Sequence, residues 1–176
     1  MSKVRRIVAL ALASAGVAAA PAIAAPAGSY AHACVAGADA PAMLVRVTGF
    51  KIRTGTVRVQ LYGGDPDRYF EKRTYLRRID LPVPGAGPLD VCVPASAPGT
   101  YAISVRHDVD GAGNLGRSDG GGMSGNPEMS LLDLMFKRKP APEKVAVPVG
   151  HGVRVVPVTL NYIDGLSFRP VAVAER

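Results

Sequence analysis

The sequence predicts an all-β fold, an antiparallel β-sandwich of about seven strands with one short helix. Apolar residues recur with a period of two along most of the chain, as they do in half-buried strands. Turns rich in glycine and proline separate these segments, and the 176 residues include 20 Gly and 15 Pro. Because Trp is absent, we expect a single core built from Val, Leu, Ile and Ala.

Residues 1–25 have the features of a cleaved signal peptide. A start with three basic residues is followed by an apolar run over residues 7–20 and by small residues suited to cleavage. The run has about fourteen residues before Pro21, short of the roughly 20 that span a membrane. We therefore expect a periplasmic or secreted protein with no membrane span after cleavage. A retained anchor and a lipoprotein modified at Cys34 are the alternatives.

Export changes the charge balance of the protein. The signal peptide contains three of the 21 basic residues, which leaves 18 basic against 14 acidic residues. One basic cluster stands out, Lys137-Arg138-Lys139, and it lies where a helix is expected to end, so that it complements the helix dipole. An anion site is the alternative there. Since the other basic residues are dispersed, we expect no nucleic-acid partner.

Seven segments are predicted as strands, and charged residues alternate with β-branched ones most clearly in the first two. They are residues 44–48, 55–62, 75–81, 89–93, 101–107, 145–149 and 153–162. Pro148 and Pro157 fall inside two of these segments, and proline cannot donate to a strand ladder. Both strands are therefore expected at an edge or at a bulge. The predicted sandwich domain covers residues 43–165, between a lead-in at 26–42 and a tail at 166–176.

The chain has two cysteines, Cys34 and Cys92. Thiols of an exported protein enter an oxidising compartment, which favours a disulfide between them. Such a bridge would anchor the lead-in to the sandwich. The alternative is a buried Cys92 in an apolar strand and a free Cys34.

A glycine-rich loop after the fifth predicted strand is the candidate binding site. Its side-chain oxygens have the spacing of a Ca²⁺ loop with a glycine at the turn, Gly113, and the candidate ligands are Asp108, Asp110, Asn114 and Asp119. Ala112 stands at a ligand position, and Asp119 replaces the usual long glutamate. The other interpretation is that the carboxylates accept hydrogen bonds from turn amides. Both interpretations remain open.

The charge of this loop requires compensation in either case. Three carboxylates within a dozen residues repel one another unless a cation or hydrogen-bond donors lie among them. Arg106, Arg117 or the backbone amides of the loop are the candidates in a metal-free protein. Ca²⁺ would compensate the same charge more strongly.

A short helix is expected after this loop. Asn126 suits its N-cap, Pro127 its first position and Glu128 its positive end, and residues 129–136 are compact and apolar. We expect the apolar side chains to cover an end or edge of the sandwich, and they are Leu131, Leu132, Met135 and Phe136. A helix that binds a partner is the alternative.

Two runs of sequence give a more specific resemblance. PGTYAISVRHD at residues 98–108 and DGGGMSGNP at residues 119–127 resemble the bacterial family labelled domain of unknown function 2141. The resemblance covers residues 43–165. It implies export and an immunoglobulin-like or transthyretin-like sandwich. Relatives often carry an oxygen ligand where this chain has Ala112, so the resemblance argues for a weakened metal site.

We expect an exported binding or structural module of the cell envelope, with an unidentified envelope component as partner. A Ca²⁺-binding module is the first alternative, and otherwise no cofactor is expected. A hydrolase is the second alternative, with His107 and one of three serines, Ser104, Ser118 or Ser124. Since no nucleophile elbow, HExxH sequence or phosphate loop accompanies these residues, we do not expect an enzyme and assign no catalytic residue.

Overall fold

A computed structural model describes residues 25–171. The predicted signal peptide, except Ala25, and the last five residues lie outside the described part. Ten strands lie within it, and in chain order they are β1 Ala42–Thr48, β2 Thr56–Gly63, β3 Arg77–Pro82, β4 Leu89–Pro94, β5 Gly99–Asp108, β6 Gly120–Met123, β7 Val147–Val149, β8 Val153–Thr159, β9 Asn161–Asp164 and β10 Ser167–Pro170. None of the described helices is long and apolar enough to cross a membrane.

The strands form two sheets, as a sandwich requires. The small sheet has the order β4-β1-β8, and the large sheet has the order β10-β9-β6-β5-β2-β3, with β7 paired to β5 beside β6. All pairs are antiparallel except β1 with β8, which run parallel. β7 and β8 contain Pro148 and Pro157, and both strands lie at edges, as predicted.

The core lies between the two sheets and follows the period-two pattern of the sequence. Val45 and Val47 of the small sheet and Val57, Val59 and Ile103 of the large sheet are all buried in it. Alternate residues of the same strands face outward. The predicted fold class, an all-β sandwich, is therefore confirmed, although the described residues form ten strands and two α-helices where about seven strands and one helix were predicted.

The lead-in is bonded to the outside of the small sheet. Cys34 ends a 3-10 helix, Ala31–Cys34, and forms the predicted disulfide with Cys92 of β4. Ala27 adds a bridge to Val91 in the same strand. The covalent bond and the bridge together hold this segment against the sandwich.

The helices differ from the sequence prediction. Helix α1 is Leu131–Met135, shorter than predicted, and Ser130 caps it in a reciprocal pair of hydrogen bonds with Asp133. Asn126 has a φ of 47° and caps no helix. Its side-chain amide instead donates to Pro157 O at 3.3 Å and accepts from Thr159 N at 2.7 Å. It therefore supplies two hydrogen bonds to the backbone of β8 that a neighbouring strand would otherwise make.

The predicted burial of α1 was also wrong. Leu132, Met135 and Phe136 are 57%, 66% and 65% exposed, and no residue of the helix is buried. A capped helix of five residues is too short to present a full apolar face to the sheet. Leu132, Met135 and Phe136 therefore face solvent rather than the sandwich, whereas Leu131 and Leu134 are half-buried.

Other segments were assigned to the wrong element or missed. Residues 142–145 form helix α2, Pro142–Val145, which was not predicted and which includes Val145, the first residue of the predicted strand 145–149. The chain leaves the small sheet at Leu160, and residues 153–162 therefore form two strands rather than one. β10 lies beyond the expected end of the domain and pairs with β9. β6 was missed because three of its four residues are glycine.

Candidate metal centre

The candidate site is built where β5 ends and β6 begins. These strands are antiparallel neighbours, and Asp108 is the last residue of β5 while Asp119 directly precedes β6. The strand pairing therefore brings the two carboxylates to the same end of the sheet. Between them the chain turns through Gly111 and Gly113, with φ values of 70° and 76° that favour glycine.

Three of the four predicted ligands come together. One carboxylate oxygen from each of Asp108, Asp110 and Asp119 lies within 4.8 Å of the other two. Asp108 and Asp119 are buried, whereas Asp110 is exposed. Asn114 is exposed and is not a member of this group. Gly113 has the turn conformation that its position in the loop predicted.

Backbone amides of the loop satisfy part of this charge, as the turn interpretation requires. Asp119 accepts from Val109 N at 3.1 Å and from Gly116 N at 2.9 Å, one amide for each oxygen. Asp110 accepts from Ala112 N at 3.0 Å. These bonds fix the shape of the loop. Because a carboxylate oxygen accepts more than one bond, they leave coordination capacity on both side chains.

Asp108 has a different environment for each of its oxygens. Oδ2 accepts from Arg106 Nη2 at 2.6 Å and from Gly113 N at 3.0 Å. Oδ1 is shielded from solvent and has no hydrogen-bond partner. A buried polar atom of this kind is costly unless another group meets it. Oδ1 is thus the oxygen of Asp108 on which a cation could bind.

The ionised form of Asp108 is favoured despite burial. Burial raises the pKa of a carboxyl, but the bonds from Arg106 and Gly113, with a smaller contribution from the nearby Gly111 amide, outweigh it and hold the pKa of Asp108 below its usual value. Three carboxylates with one arginine leave a local charge of −2. A single divalent cation would neutralise that charge.

The loop belongs to a region with a recognisable family pattern. Residues 45–156 match the family model described as "Uncharacterized protein conserved in bacteria (DUF2141)". The chain belongs to the DUF2141 family. No curated protein and no solved structure shows a significant match to it. The matched residues include β5, the acidic loop and β6, and the family assignment therefore covers the candidate site.

In this DUF2141 chain the histidine next to the acidic loop is a structural residue. His107 is fully buried, with Nε2 2.7 Å from the Thr54 carbonyl oxygen and Nδ1 2.6 Å from the Tyr162 hydroxyl. A carbonyl only accepts, so Nε2–H donates to Thr54 O, and in the tautomer with its proton on Nε2 the ring accepts from the Tyr162 hydroxyl at Nδ1. Both ring nitrogens are therefore engaged by groups other than a serine hydroxyl.

The serines proposed for a hydrolase do not meet His107 in the described part of the chain. Ser124 is buried, and its hydroxyl accepts from Ile103 N at 3.0 Å and donates to Val145 O at 2.5 Å. The Ser124 hydroxyl thereby bonds to β5 between the residues that pair with β6 and those that pair with β7. The structure thus supplies no His–Ser pair within residues 25–171 for the hydrolase alternative.

Sequence analysis missed several partners at this end of the sandwich. Tyr162 holds His107 from a strand 55 residues away, and Thr54 does so from a loop before β2. Thr54 also donates from Oγ1 to Val109 O at 3.3 Å, which ties that loop to the acidic one. These contacts depend on strand order, which no local pattern reveals. Arg106 was among the predicted compensating groups, and the structure confirms that role.

Proposed function

We propose that this DUF2141 protein is an exported binding module of the cell envelope whose loop from Asp108 to Asp119 binds Ca²⁺. One observation carries the cation assignment: Oδ1 of the buried, ionised Asp108 has no hydrogen-bond partner, and one oxygen of this carboxylate lies within 4.8 Å of a carboxylate oxygen of both Asp110 and Asp119. A turn needs amide donors for its carboxylates, and this loop supplies them. It does not need a shielded carboxylate oxygen without a donor.

The oxygen-only donor set favours Ca²⁺ over softer metals. Ca²⁺ takes six to eight oxygen ligands in flexible geometry, whereas Mg²⁺ demands near-ideal octahedral geometry. Asp108, Asp110 and Asp119 supply the carboxylates, and water would complete the shell on the exposed side at Asp110. Because Ala112 offers no side-chain oxygen, we expect a dissociation constant of about 10⁻⁴–10⁻³ M, the range of extracellular calcium modules.

Export is supported by the N-terminal sequence and by the chemistry of the cysteines. A basic start, an apolar run and small residues precede the sandwich. The Cys34–Cys92 pair is bonded in the structure, and stable disulfides are typical of oxidising compartments. Mass analysis of protein from a periplasmic fraction tests this proposal. We expect a mature chain without its first twenty-odd residues, and an intact Met1 in that fraction would contradict export.

Calorimetric titration of the purified mature protein with CaCl₂ tests the cation site. The wild type should show saturable binding at one site, and Asp110→Ala should abolish it by removing a ligand that the fold does not bury. Ala112→Asp should tighten binding because it supplies the missing oxygen. Asn114→Ala is the matched control, since Asn114 lies outside the carboxylate group. Absence of binding by both the wild type and Ala112→Asp would contradict the proposal.

A further inference from the structure

The outer face of the large sheet carries an open cleft beside the candidate cation site, with Asp119 in the lining of both. Part of this face is covered, because Tyr69 and Val145 pack on Tyr62 and Ala102. The neighbouring part is open and holds two adjoining chambers of 290 and 220 Å³. Both chambers share the same apolar lining and floor, formed by Leu115, Leu134, Phe168, Gly120 and Gly121.

Gly121 lies on the floor of this cleft, and the packing of the sheet does not require a glycine at this position. A Cβ on Gly120 would come within 2.5 Å of the Tyr162 ring, and one on Gly122 within 2.6 Å of Thr159 O, so both glycines are needed for sheet packing. A Cβ on Gly121 would meet nothing closer than 3.7 Å, and its φ is not positive. A glycine inside a strand weakens it and often marks the close approach of a ligand. Gly121 keeps the floor of the cleft flat.

Arg117 is the charged group of the cleft that favours an anion, because Arg106 is already paired with Asp108. Three charged side chains line the two chambers, Arg106, Arg117 and Asp119. Asp119 already accepts one amide on each oxygen. Arg117 is exposed and forms no ion pair with the residues that the structure describes. Its guanidinium is therefore available at the mouth of an otherwise apolar cleft.

We propose that this cleft binds a small amphipathic anion, with an unbranched apolar chain along Gly121 and a carboxylate at Arg117. Taken together, the two adjoining chambers reach the lower part of the size range of small-molecule sites, roughly 300–1,000 Å³, and their mainly apolar lining with few polar groups is typical of such sites. Leu115, which is 73% exposed on the acidic loop, forms one wall and would be covered by the bound chain. The proposal does not depend on the cation site, although both use the same loop.

Titration with dodecanoate below its micelle concentration, in calcium-free buffer at neutral pH, tests this proposal. The wild type should bind it saturably. Gly121→Leu should weaken binding about tenfold or more by filling the floor. Leu115→Asp should also weaken the binding of dodecanoate. Leu115 is exposed, so the fold should tolerate the substitution, which would place a negative charge beside the apolar chain of the ligand. Gly150→Leu is the matched control: its Cβ would also meet open space without positive φ, but away from the cleft.

The head group is tested with dodecyltrimethylammonium, which has the same chain and the opposite charge. We expect it to bind at least several-fold more weakly than dodecanoate, since Arg117 would repel it. Equal or tighter binding of this cation would overturn the assignment of an anion. The cleft itself would be the wrong site if Gly121→Leu and Leu115→Asp both bound dodecanoate as the wild type does. Calcium titration of Gly121→Leu reports separately on the cation site, whose three carboxylates are unchanged.

Discussion

The two carboxylate oxygens of Asp108 have different environments. Oδ2 closes the turn by accepting from Arg106 and Gly113, and Oδ1 is left shielded without a donor. The spacing of the aspartates along the sequence predicted that Asp108, Asp110 and Asp119 would be neighbours. It did not predict which oxygens the loop amides would occupy, because that depends on how Gly111 and Gly113 turn the chain.

The hydrogen bond between Tyr162 and the buried His107 can be tested by removing one hydroxyl group. Tyr162→Phe removes the O–H that donates to His107 Nδ1 and leaves a buried acceptor unpaired. We expect the free energy of unfolding to fall by about 1–3 kcal/mol, measured by urea denaturation. Tyr30→Phe is the control, because Arg77 contacts the ring of Tyr30 rather than its hydroxyl. Equal stability of Tyr162→Phe and the wild type would show that this hydrogen bond contributes nothing.

Asp80 gives a test of pH dependence away from the acidic loop. Burial raises the pKa of Asp80, but Arg58 and Arg78, each 2.7 Å from one of its oxygens, outweigh burial and lower its pKa. A lowered pKa in the folded state adds stability above the unfolded value of about 3.9, and that stability is lost as the pH falls through the folded value.

We therefore expect the wild type to be more stable than Asp80→Asn at pH 7. The difference should shrink progressively below about pH 4 as Asp80 becomes protonated. Thermal melts of both proteins at several pH values measure it. A difference that stayed constant from neutral to acidic pH would mean that the two arginines do not lower the pKa of Asp80.

Among the elements, β6 shows why one strand was missed while its neighbours were predicted. The core strands were predicted from β-branched residues at alternate positions, such as Val57 and Val59 in β2. β6 consists of Gly120, Gly121, Gly122 and Met123 and has no such alternation. Gly120 and Gly122 are required by partners that the chain reaches some 40 residues later, Tyr162 and Thr159. This requirement comes from tertiary contacts, and it therefore produces no periodic pattern in the local sequence.

Two alanine substitutions in β6 test this account. A Cβ at position 122 would meet Thr159 O at 2.6 Å and Val158 Cγ1 at 2.7 Å. We expect Gly122→Ala to lower the free energy of unfolding by about 1–3 kcal/mol, as overpacking does. Gly121→Ala, one position along, should fold without this loss because its Cβ would make only ordinary contacts, the nearest with Phe168 at 3.7 Å. Denaturation midpoints of the two variants measure the contrast, and similar losses for both would refute it.

At the scale of the whole molecule, the sequence predicted the sandwich, the edge positions of Pro148 and Pro157 and the pairing of Cys34 with Cys92. It did not predict the parallel pairing of β1 with β8 or the final strand β10. Periodicity identifies which face of a strand is buried, but it does not specify the neighbour or its direction. Neighbours follow from chain crossings, such as the passage from one sheet to the other at Leu160.

The disulfide is a constraint on the whole chain, since its cysteines are 58 residues apart. The chain-entropy relation assigns a loop of this length about 4 kcal/mol of stability through restriction of the unfolded state. We expect the double variant Cys34→Ala/Cys92→Ala to be less stable by up to about that amount. Reducing agent should lower the urea midpoint of the wild type and leave the double variant unchanged. Identical midpoints for the oxidised wild type and the double variant would contradict a stabilising role.

The central claim is that the acidic loop binds Ca²⁺, and a thermal melt with and without the ion tests it most directly. At about 100 times its dissociation constant, Ca²⁺ should stabilise the wild type by roughly 2.7 kcal/mol, which raises Tm by roughly 5–10 °C in a domain of this size. Asp108→Asn should lose this gain relative to the same variant in chelator, and Asn114→Ala should keep it. If Ca²⁺ at about 10–100 mM, which is 100 times the expected dissociation constant, leaves the Tm of the wild type and of Ala112→Asp unchanged, the loop is a turn and not a cation site.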